Sequence, residues 1–273
     1  MKRFLKVKYL FFILALFLFT TCSTNPFTGK KTMALVSNNT LFASSFVQYK
    51  EFLNENTIVT GTPEANMVRR VGEKIRLAAE KWAAAEGQAS YLNEYQWEYT
   101  LVNSKEINAW AMPGGKIVFY SGILPVTMDE AGLAVVMGHE VAHAILNHGQ
   151  QRVSANVLQM LGAVGVSILA ADQTPETQAL AMTIYGAGST LFGTLPYSRA
   201  HEIEADQVGL TLMAIAGYDP HAAVAFWERM SSMGGGSVPQ FLSTHPSDST
   251  RVSALRKYVP DANKKAAKIG IIQ

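Results

Sequence analysis

Apolar side chains recur along this chain with the spacing of amphipathic helices. Positions three and four apart are apolar over 40–52 and 65–85, and Pro63 stands near the start of the second segment. The same periodicity predicts later helices over 198–217 and 220–230, ahead of a Gly- and Ser-rich loop. The chain is therefore expected to be mainly helical.

A short sheet is predicted in the middle of the chain. Apolar and polar residues alternate over 97–101, which is typical of a half-buried strand. The segments 108–112 and 116–120 flank a Pro-Gly-Gly turn and predict an antiparallel hairpin. Together with the helices, this pattern predicts a mainly α fold with a small antiparallel β-sheet (α+β).

Two apolar stretches stand out among the predicted helices. The first, 133–146, predicts a helix with Thr127 and Glu130 as a capping box before it and Gly149 near its end. The second, 157–171, is rich in Gly and Ala, but it is short and contains polar residues. We expect it to be a buried or groove-covering helix rather than a membrane contact.

The N-terminus has the pattern of an export signal. Four basic residues lie within positions 2–8, an apolar run follows over 9–19, and the only cysteine, Cys22, comes directly after it. The run is shorter than the ~20 residues that span a membrane. The residues before Cys22 are typical of a bacterial lipoprotein processing site, except that Thr21 stands where a smaller residue is usual. Ordinary secretion with an incidental cysteine is the alternative.

These signals divide the chain into three parts. Residues 1–21 are predicted to be a lipoprotein-type signal peptide, 22–39 an N-terminal tether, and 40–273 one domain. A lipid on Cys22 would hold the protein on a membrane of the bacterial cell envelope, facing the periplasm, with the outer membrane favoured. An exported chain with one cysteine is expected to lack an internal disulfide.

Composition limits the classes of partner. Hydrophobic residues make up 48% of the 273 residues, which excludes a disordered chain. Charged residues make up only 16%, the net charge is +2, and no basic patch is interleaved with aromatic residues. Nucleic acid is therefore not expected as a partner. The sequence leaves the oligomeric state open.

The strongest chemical signal is the pattern His139-Glu140-x-x-His143 within the apolar stretch. Residues four apart lie on one helical face, so His139 and His143 can offer imidazole nitrogens to one Zn²⁺. Glu140 can then act as a base for a water molecule on the metal. The alternative is a helix whose polar residues have only structural partners. Two histidines and a carboxylate are costly to bury in that way, and a metal is their natural partner.

A catalytic zinc commonly has three protein ligands, so a third is expected downstream. Glu202 and Asp206 are four apart on a predicted helix and can face the metal together. Glu202 would ligate, and Asp206 would accept a hydrogen bond from the other ring nitrogen of a ligand histidine. Spacing alone leaves His201 and Glu204 as competing ligands.

Five segments together resemble one family, the zinc metallopeptidases that include the CAAX prenyl proteases and related bacterial envelope peptidases. The segments are 25–30 (NPFTGK), 108–115 (NAWAMPGG), 139–143 (HEVAH), 198–206 (SRxxExxAD) and 244–247 (THPS). The first is similar to the start of the small periplasmic lipoprotein members. The resemblance covers about 25–251 and implies a zincin-type metallopeptidase domain over 40–273.

Carried over position by position, the resemblance implies that His139, His143 and Glu202 are zinc ligands. It also implies that Glu140 is the catalytic base and that Asp206 accepts a hydrogen bond from a ligand histidine without binding the metal itself. The family ligand stands four residues before the aspartate, and this favours Glu202 over the neighbouring glutamate.

The resemblance also assigns roles to His245 and Arg251. Both are implied to lie near the metal, where they stabilise the tetrahedral intermediate or hold the site closed. No such argument covers His148 and His221, which are expected to be structural.

The resemblance and the export signal together predict a zinc endopeptidase of the bacterial envelope that acts on misfolded or unassembled proteins. Its polypeptide substrates would add to an edge strand through backbone hydrogen bonds. The residues predicted to bind them are Asn108, Ala109, Trp110 and Ala111.

Two other functions are compatible with the same residues. One is a latent or chaperone-like zinc protein, in which the segment 150–196 or His245 covers the site. The other is a zinc hydrolase of small molecules, against which the predicted edge strand argues.

Overall fold

The computed structural model of the chain describes residues 22–190, 195–233, 239–245 and 249–270. The signal peptide predicted over 1–21 lies outside these residues. Within them, helices predominate and the strands form two small sheets. The prediction of a mainly α fold with a small sheet is confirmed.

The helices of the described ranges are α1 (Asn38–Glu55), α2 (Pro63–Ala85), α3 (Leu124–Thr127), α4 (Glu130–Ile145), α5 (His148–Ala170), α6 (Pro175–Ser189), α7 (Leu195–Ile215), α8 (His221–Ser232), α9 (Gln240–Thr244) and α10 (Ser249–Lys268). The strands are β1 (Cys22–Thr24), β2 (Lys31–Met33), β3 (Ile58–Val59), β4 (Glu98–Val102), β5 (Ala109–Met112) and β6 (Lys116–Tyr120). Helix α10, which packs on α7 and carries Arg251, was not predicted from the sequence.

The larger sheet has the strand order β3-β4-β6-β5. The predicted hairpin is confirmed, since β5 and β6 pair antiparallel around Gly114 and Gly115, whose φ angles of 87° and 90° suit glycine. The pairing of β4 with β6 is parallel, so this sheet is mixed rather than wholly antiparallel. Within the described ranges β5 pairs on one side only and is an edge strand.

The start of α4 shows that the predicted capping box is wrong. Thr127 belongs to α3, where its hydroxyl donates to the carbonyl of Leu124. Met128 then adopts a left-handed φ of 67°, and the Asp129 carboxylate accepts from the amide of Gly132. Asp129 is therefore the N-cap, because the turn at Met128 separates Thr127 from the first turn of α4.

Helices α4 and α7 cross at two glycines. A Cβ on Gly138 would lie 3.0 Å from the carbonyl oxygen of Gly209, and a Cβ on Gly209 would lie 3.1 Å from the amide nitrogen of His139. Larger residues at either position would push the helices apart. The crossing brings the two backbones close enough for side chains of both helices to meet beside His139.

The segment 22–39, predicted to be a tether, is instead folded against the domain. β1 and β2 form an antiparallel hairpin, and the turn between them buries Asn25 and Phe27. The Asn25 amide donates to the carbonyl of Ile145 at the end of α4. Phe27 packs edge-on against Trp82. The hairpin therefore satisfies a backbone carbonyl at the end of the helix that carries the predicted zinc ligands.

Helix α5 departs from the buried or groove-covering helix that was predicted over 157–171. Its buried residues lie in the first turns, up to Ser154, and at Ala170. Helix α6 has no buried residue and pairs with α5 as an antiparallel hairpin. By length and composition α5 could cross a membrane, with a mean hydropathy of 1.7 in its most apolar window.

Candidate metal centre

Four side chains from three parts of the fold meet at one point. His139 and His143 come from α4, Glu202 comes from α7, and His245 directly follows α9. One ring nitrogen or carboxylate oxygen of each residue lies within 4.8 Å of those of the others, and all four residues are buried. The three predicted ligands are thus brought together, with His245 as a fourth member of the cluster.

The spacing of the donor atoms fits a zinc ion. His139 Nε2 lies 3.0 Å from His143 Nε2 and 3.2 Å from Glu202 Oε2, and His143 Nε2 lies 3.4 Å from Glu202 Oε1. Ligand atoms bound tetrahedrally at about 2.0–2.1 Å are about 3.3–3.4 Å apart. Two imidazoles and one carboxylate also form a donor set found in catalytic zinc sites. The residues present therefore fit Zn²⁺.

Asp206 and Arg251 fix the positions of cluster residues through hydrogen bonds. Asp206 Oδ1 lies 3.0 Å from His139 Nδ1, which directs His139 Nε2 into the cluster. Arg251 donates to both oxygens of Asp206, at 2.6 and 2.7 Å, and to the His245 carbonyl at 3.3 Å. The guanidinium carbon lies 3.7 Å from the centre of the Trp227 ring. Through these contacts Arg251 positions Asp206 and His245.

His148 contacts the second predicted ligand from outside the cluster, which is compatible with the structural role expected of it. His148 Nδ1 lies 2.8 Å from His143 Nδ1, and His148 Nε2 lies 3.4 Å from Glu204 Oε2. Glu204 in turn pairs with Lys30 at 3.0 Å. These contacts orient the His143 ring with Nε2 towards the cluster. They depend on Asn147, whose φ of 57° folds α5 back onto α4. An asparagine just after a predicted helix was the sequence signal for that turn.

The charges buried at the cluster favour a cation at its centre. Glu140, Glu202 and Asp206 supply three carboxylates against one guanidinium from Arg251, which leaves a net charge of −2 when the histidines are neutral. Uncompensated buried charge is costly. Burial lowers the pKa of His139, but hydrogen bonds with Asp206 and Glu202 outweigh burial and raise this pKa to about 9. A divalent metal would balance the same negative charge.

Glu140 has the environment of a base. Its Oε1 is buried and has no hydrogen-bond partner among the described residues. Burial raises the pKa of this carboxyl, although the charges of His245 and His139 oppose the rise. The nearest recorded contact of Oε1 is His245 Nε2 at 3.4 Å, so a buried oxygen without a hydrogen bond and with raised proton affinity is left for a proton from water.

A cleft of 190 Å³ opens onto the cluster between β5 and the start of α5. Its walls include the segment 108–113 together with Glu140, His143 and His245. In the described chain, α5 contributes no residue beyond Arg152 to this wall. The expectation that the segment 150–196 covers the site is therefore not met by the residues described there.

The backbone of β5 faces this cleft. All four predicted substrate-binding residues, from Asn108 to Ala111, line it. The Asn108 carbonyl accepts from the amide of Tyr120, which makes this pair a hydrogen-bonded rung of the ladder. By the alternation of antiparallel pairing, the backbone groups of Ala109 and Ala111 then point to the free edge. The edge can therefore accept a further strand.

The other candidate histidines and carboxylates lie outside the cluster. His201 stacks on His148 with ring centroids 4.0 Å apart. Glu204 is occupied by Lys30 and His148. His221 is on the surface, where its Nδ1 lies 2.8 Å from a carboxylate oxygen of Asp219. The choice among ligands that spacing left open thus falls on Glu202 by position.

Comparison with known proteins gives one match to a family model and several matches to curated proteins. A family model described as peptidase family M48 matches residues 71–259 of this chain. The match includes α4 and α7, and with them His139, His143 and Glu202.

Several curated proteins are similar to this chain. It is 36% identical over 181 residues to the mitochondrial metalloendopeptidase OMA1 of Arabidopsis thaliana, covering 66% of this chain and 35% of that protein. It is 29% identical over 269 residues to the mitochondrial metalloendopeptidase OMA1 of Homo sapiens, covering 96% and 51%. It is 34% identical over 168 residues to the beta-barrel assembly-enhancing protease of Escherichia coli (strain K12), covering 59% and 34%. The chain thus spans about half the length of these relatives, or less.

Proposed function

Because the chain belongs to peptidase family M48 and carries the zinc metalloendopeptidase domain of that family, we propose that it hydrolyses unfolded or unassembled polypeptides in the bacterial cell envelope. The observation that carries the proposal is the position of Glu140. Its buried carboxylate oxygen Oε1, which has no hydrogen-bond partner among the described residues and lies 3.4 Å from His245 Nε2, is placed between a three-ligand zinc site and a free strand edge.

The proposed mechanism assigns the proton transfers to Glu140. Zinc held by His139, His143 and Glu202 would supply Lewis acidity, which lowers the pKa of water and polarises a carbonyl group. Glu140 Oε1 takes the proton of the attacking water and returns it to the leaving nitrogen. Its raised proton affinity favours the first of these transfers.

The remaining site residues act on the ligands or on the reacting carbonyl. Asp206 keeps His139 Nε2 directed at the zinc, and Arg251 keeps Asp206 ionised and in place. His245 can donate to the oxygen that becomes negative in the transition state, once it moves out of the ligand cluster. In the observed position, Arg251 donates a hydrogen bond to the carbonyl of His245.

Substrate binding is proposed to be strand addition at β5. Ala109 and Ala111 present their amides and carbonyls to the cleft, so a peptide pairs through its own backbone at alternate residues. Such binding requires an extended substrate segment and depends little on the side chains of that segment. It therefore favours unfolded chains over folded ones.

Alternate backbone methylation of a substrate peptide tests this binding mode. A peptide that the purified protein cleaves is resynthesised with single N-methyl groups at successive positions flanking the cut. Methylation of each amide that pairs with β5 should lower kcat/KM at least ~10-fold, because one backbone hydrogen bond is lost and the methyl group clashes. The loss should recur at every second residue.

Methyl groups at the intervening positions are the matched control and should have little effect. A peptide series that shows equal sensitivity at neighbouring positions, measured by the same mass-spectrometric assay, contradicts strand addition. Cleavage of a folded protein as fast as its unfolded form would contradict the proposed substrate class.

The envelope location rests on the N-terminal pattern and on the similarity to an Escherichia coli protease. Cys22 is the first residue of β1, and β1 is part of the hairpin folded on the domain. A lipid on Cys22 would therefore hold the domain itself close to the membrane surface, rather than at the end of a long tether.

A second candidate function is a latent peptidase, and the position of His245 favours it. His245 Nδ1 lies 2.9 Å from Glu202 Oε2 and 3.1 Å from His139 Nε2, inside the ligand cluster. In this position it takes the place that a water molecule or a substrate carbonyl needs. The protein would then be active only when the segment that carries His245 moves away.

Replacing His245 tests latency. For a latent peptidase, His245→Ala should bind zinc as the wild type does and should cleave an unfolded substrate faster, by at least ~10-fold, because the gain from freeing the open ligand position exceeds the loss of a hydrogen-bond donor. His221→Ala, at an exposed histidine, is the control. A slower His245→Ala enzyme with full zinc content would show instead that His245 assists the reaction.

A further inference from the structure

Polar side chains of α5 and α6 pair with each other between the two helices. Between the helices, the Gln159 amide donates to Ser189 Oγ at 2.8 Å, and the Tyr185 hydroxyl donates to the Gln159 carbonyl at 2.8 Å. A Cβ on Gly162 would lie 2.1 Å from the Tyr185 hydroxyl oxygen, so the helices approach closely at this glycine. Small residues and paired polar groups between helices are typical of helices packed in lipid.

The outward faces of the hairpin carry large apolar side chains and no charged residue over 153–171 and 177–189. Six large side chains on them are between 55% and 76% exposed: Met160, Val164, Ile168, Leu169, Leu180 and Ile184. A helical hairpin in water turns such residues towards a core. Here they remain exposed on a segment that the rest of the described chain does not cover.

Charge and length agree with insertion into a bilayer. The segments 153–171 and 177–198 contain no charged residue, and the turn between them carries Asp172 and Glu176. The helical residues 153–170 extend about 27 Å, close to the ~30 Å thickness of a bilayer's hydrocarbon core. The acidic turn would therefore reach the opposite headgroup layer.

The end of the hairpin that joins the rest of the domain carries positive charge. Arg152 on α5 and Arg199 on α7 are exposed at the two ends of the uncharged segments. The Leu35 amide donates to Ser154 Oγ at 3.0 Å, so the chain just after β2 runs beside the first turns of α5. Exposed Lys31 is the first residue of β2. Cations at this level complement anionic lipid headgroups.

From these observations we infer that the α5–α6 hairpin inserts into a lipid bilayer. Its apolar faces would lie among the acyl chains, and its positively charged end would lie in the headgroup layer. Helix α5 begins at His148, beside the cluster, so insertion would hold the cleft at the membrane surface. The inference does not depend on the proposed peptidase activity.

A single-cysteine labelling experiment tests the insertion. Cys22→Ser removes the only cysteine from the full chain and with it any lipid anchor at that position. In this background Val164→Cys places an environment-sensitive nitrobenzoxadiazole probe on the hairpin. Val47→Cys is the matched control, since Val47 is 57% exposed on α1 and Val164 is 55% exposed on α5.

With vesicles of phosphatidylethanolamine and phosphatidylglycerol, emission from position 164 should shift to shorter wavelength. Doxyl-labelled lipid should quench it severalfold more than emission from position 47. Adding Ile184→Asp on the hairpin should reduce that quenching to the level of position 47, because a charge on the outward face opposes insertion. Leu77→Asp, at an exposed leucine outside the hairpin, should leave it unchanged.

Equal quenching at the two positions would overturn the inference. So would a wavelength shift at position 164 that rises with protein concentration without lipid, because the apolar face would then be covered by a second copy. Unchanged zinc content and melting temperature in each variant would show that the labelled proteins are folded.

Discussion

Glu140→Gln should retain one zinc per chain and lose proteolysis. The amide keeps the size of the side chain but cannot accept the proton of the attacking water, and general-base catalysis contributes about 10²–10⁴-fold to such reactions. We expect kcat/KM on an unfolded substrate to fall about 10³-fold, equivalent to about 4 kcal/mol of transition-state stabilisation. Melting temperature should change little, because Oε1 has no hydrogen-bond partner to lose among the described residues.

The matched control is Glu130→Gln, the same substitution ten residues earlier on α4, roughly 15 Å from Glu140 along the helix. Glu130 pairs with Arg70 and Lys74 at the surface, so its replacement should affect stability without reducing the rate of cleavage. A Glu140→Gln protein that cleaves like the wild type while holding zinc would exclude Glu140 as the base. Loss of zinc from that variant would point to a structural role for the carboxylate.

Removal of zinc should abolish activity and also lower stability. A metal that binds only the folded state stabilises it by about 4 kcal/mol at a thousandfold excess over its dissociation constant. For a domain of this size, that corresponds to a fall of very roughly 8–16 °C in melting temperature after chelation and dialysis. Repulsion among Glu140, Glu202 and Asp206 without the cation is one cause of this loss. Stoichiometric zinc should restore both activity and melting temperature.

His139→Ala provides the internal comparison, since a protein without this ligand should melt at the same temperature with and without zinc. His221→Ala, which changes a surface histidine, should respond to zinc like the wild type. Full proteolysis by the chelated wild-type protein would exclude a metal-dependent reaction. A zinc-dependent melting temperature in His139→Ala would place the metal elsewhere in the fold.

Local periodicity explains why the residues at the centre of the site could be predicted from the sequence. His139 with His143, and Glu202 with Asp206, are pairs four apart, and one turn of helix places each pair on one face whatever the rest of the fold does. The hairpin of β5 and β6 was equally readable, because its Pro-Gly-Gly turn allows few other conformations. The capping box failed because one left-handed residue, Met128, changes the direction of the chain before α4.

The residues that contact the predicted ligands from elsewhere in the fold could not be predicted from local periodicity. Asn25 meets Ile145 across 120 positions, and His148 meets Glu204 across 56. Such contacts exist only after the helices have packed, and no local pattern encodes them. Arg251 was assigned by resemblance alone, since its helix was not predicted and its partner Asp206 lies 45 positions away.

The sequence therefore determined the class of the fold and the chemistry of the centre, since both follow from spacing within single helices and turns. The tertiary structure decided which carboxylate joins the histidines, because α4 and α7 approach most closely where Gly138 and Gly209 face each other, and this places Glu202 beside His139. It also decided the environment of α5 and α6. Apolar composition is the same for a core helix and for a helix in lipid, and only the packing of the remaining chain leaves this hairpin uncovered.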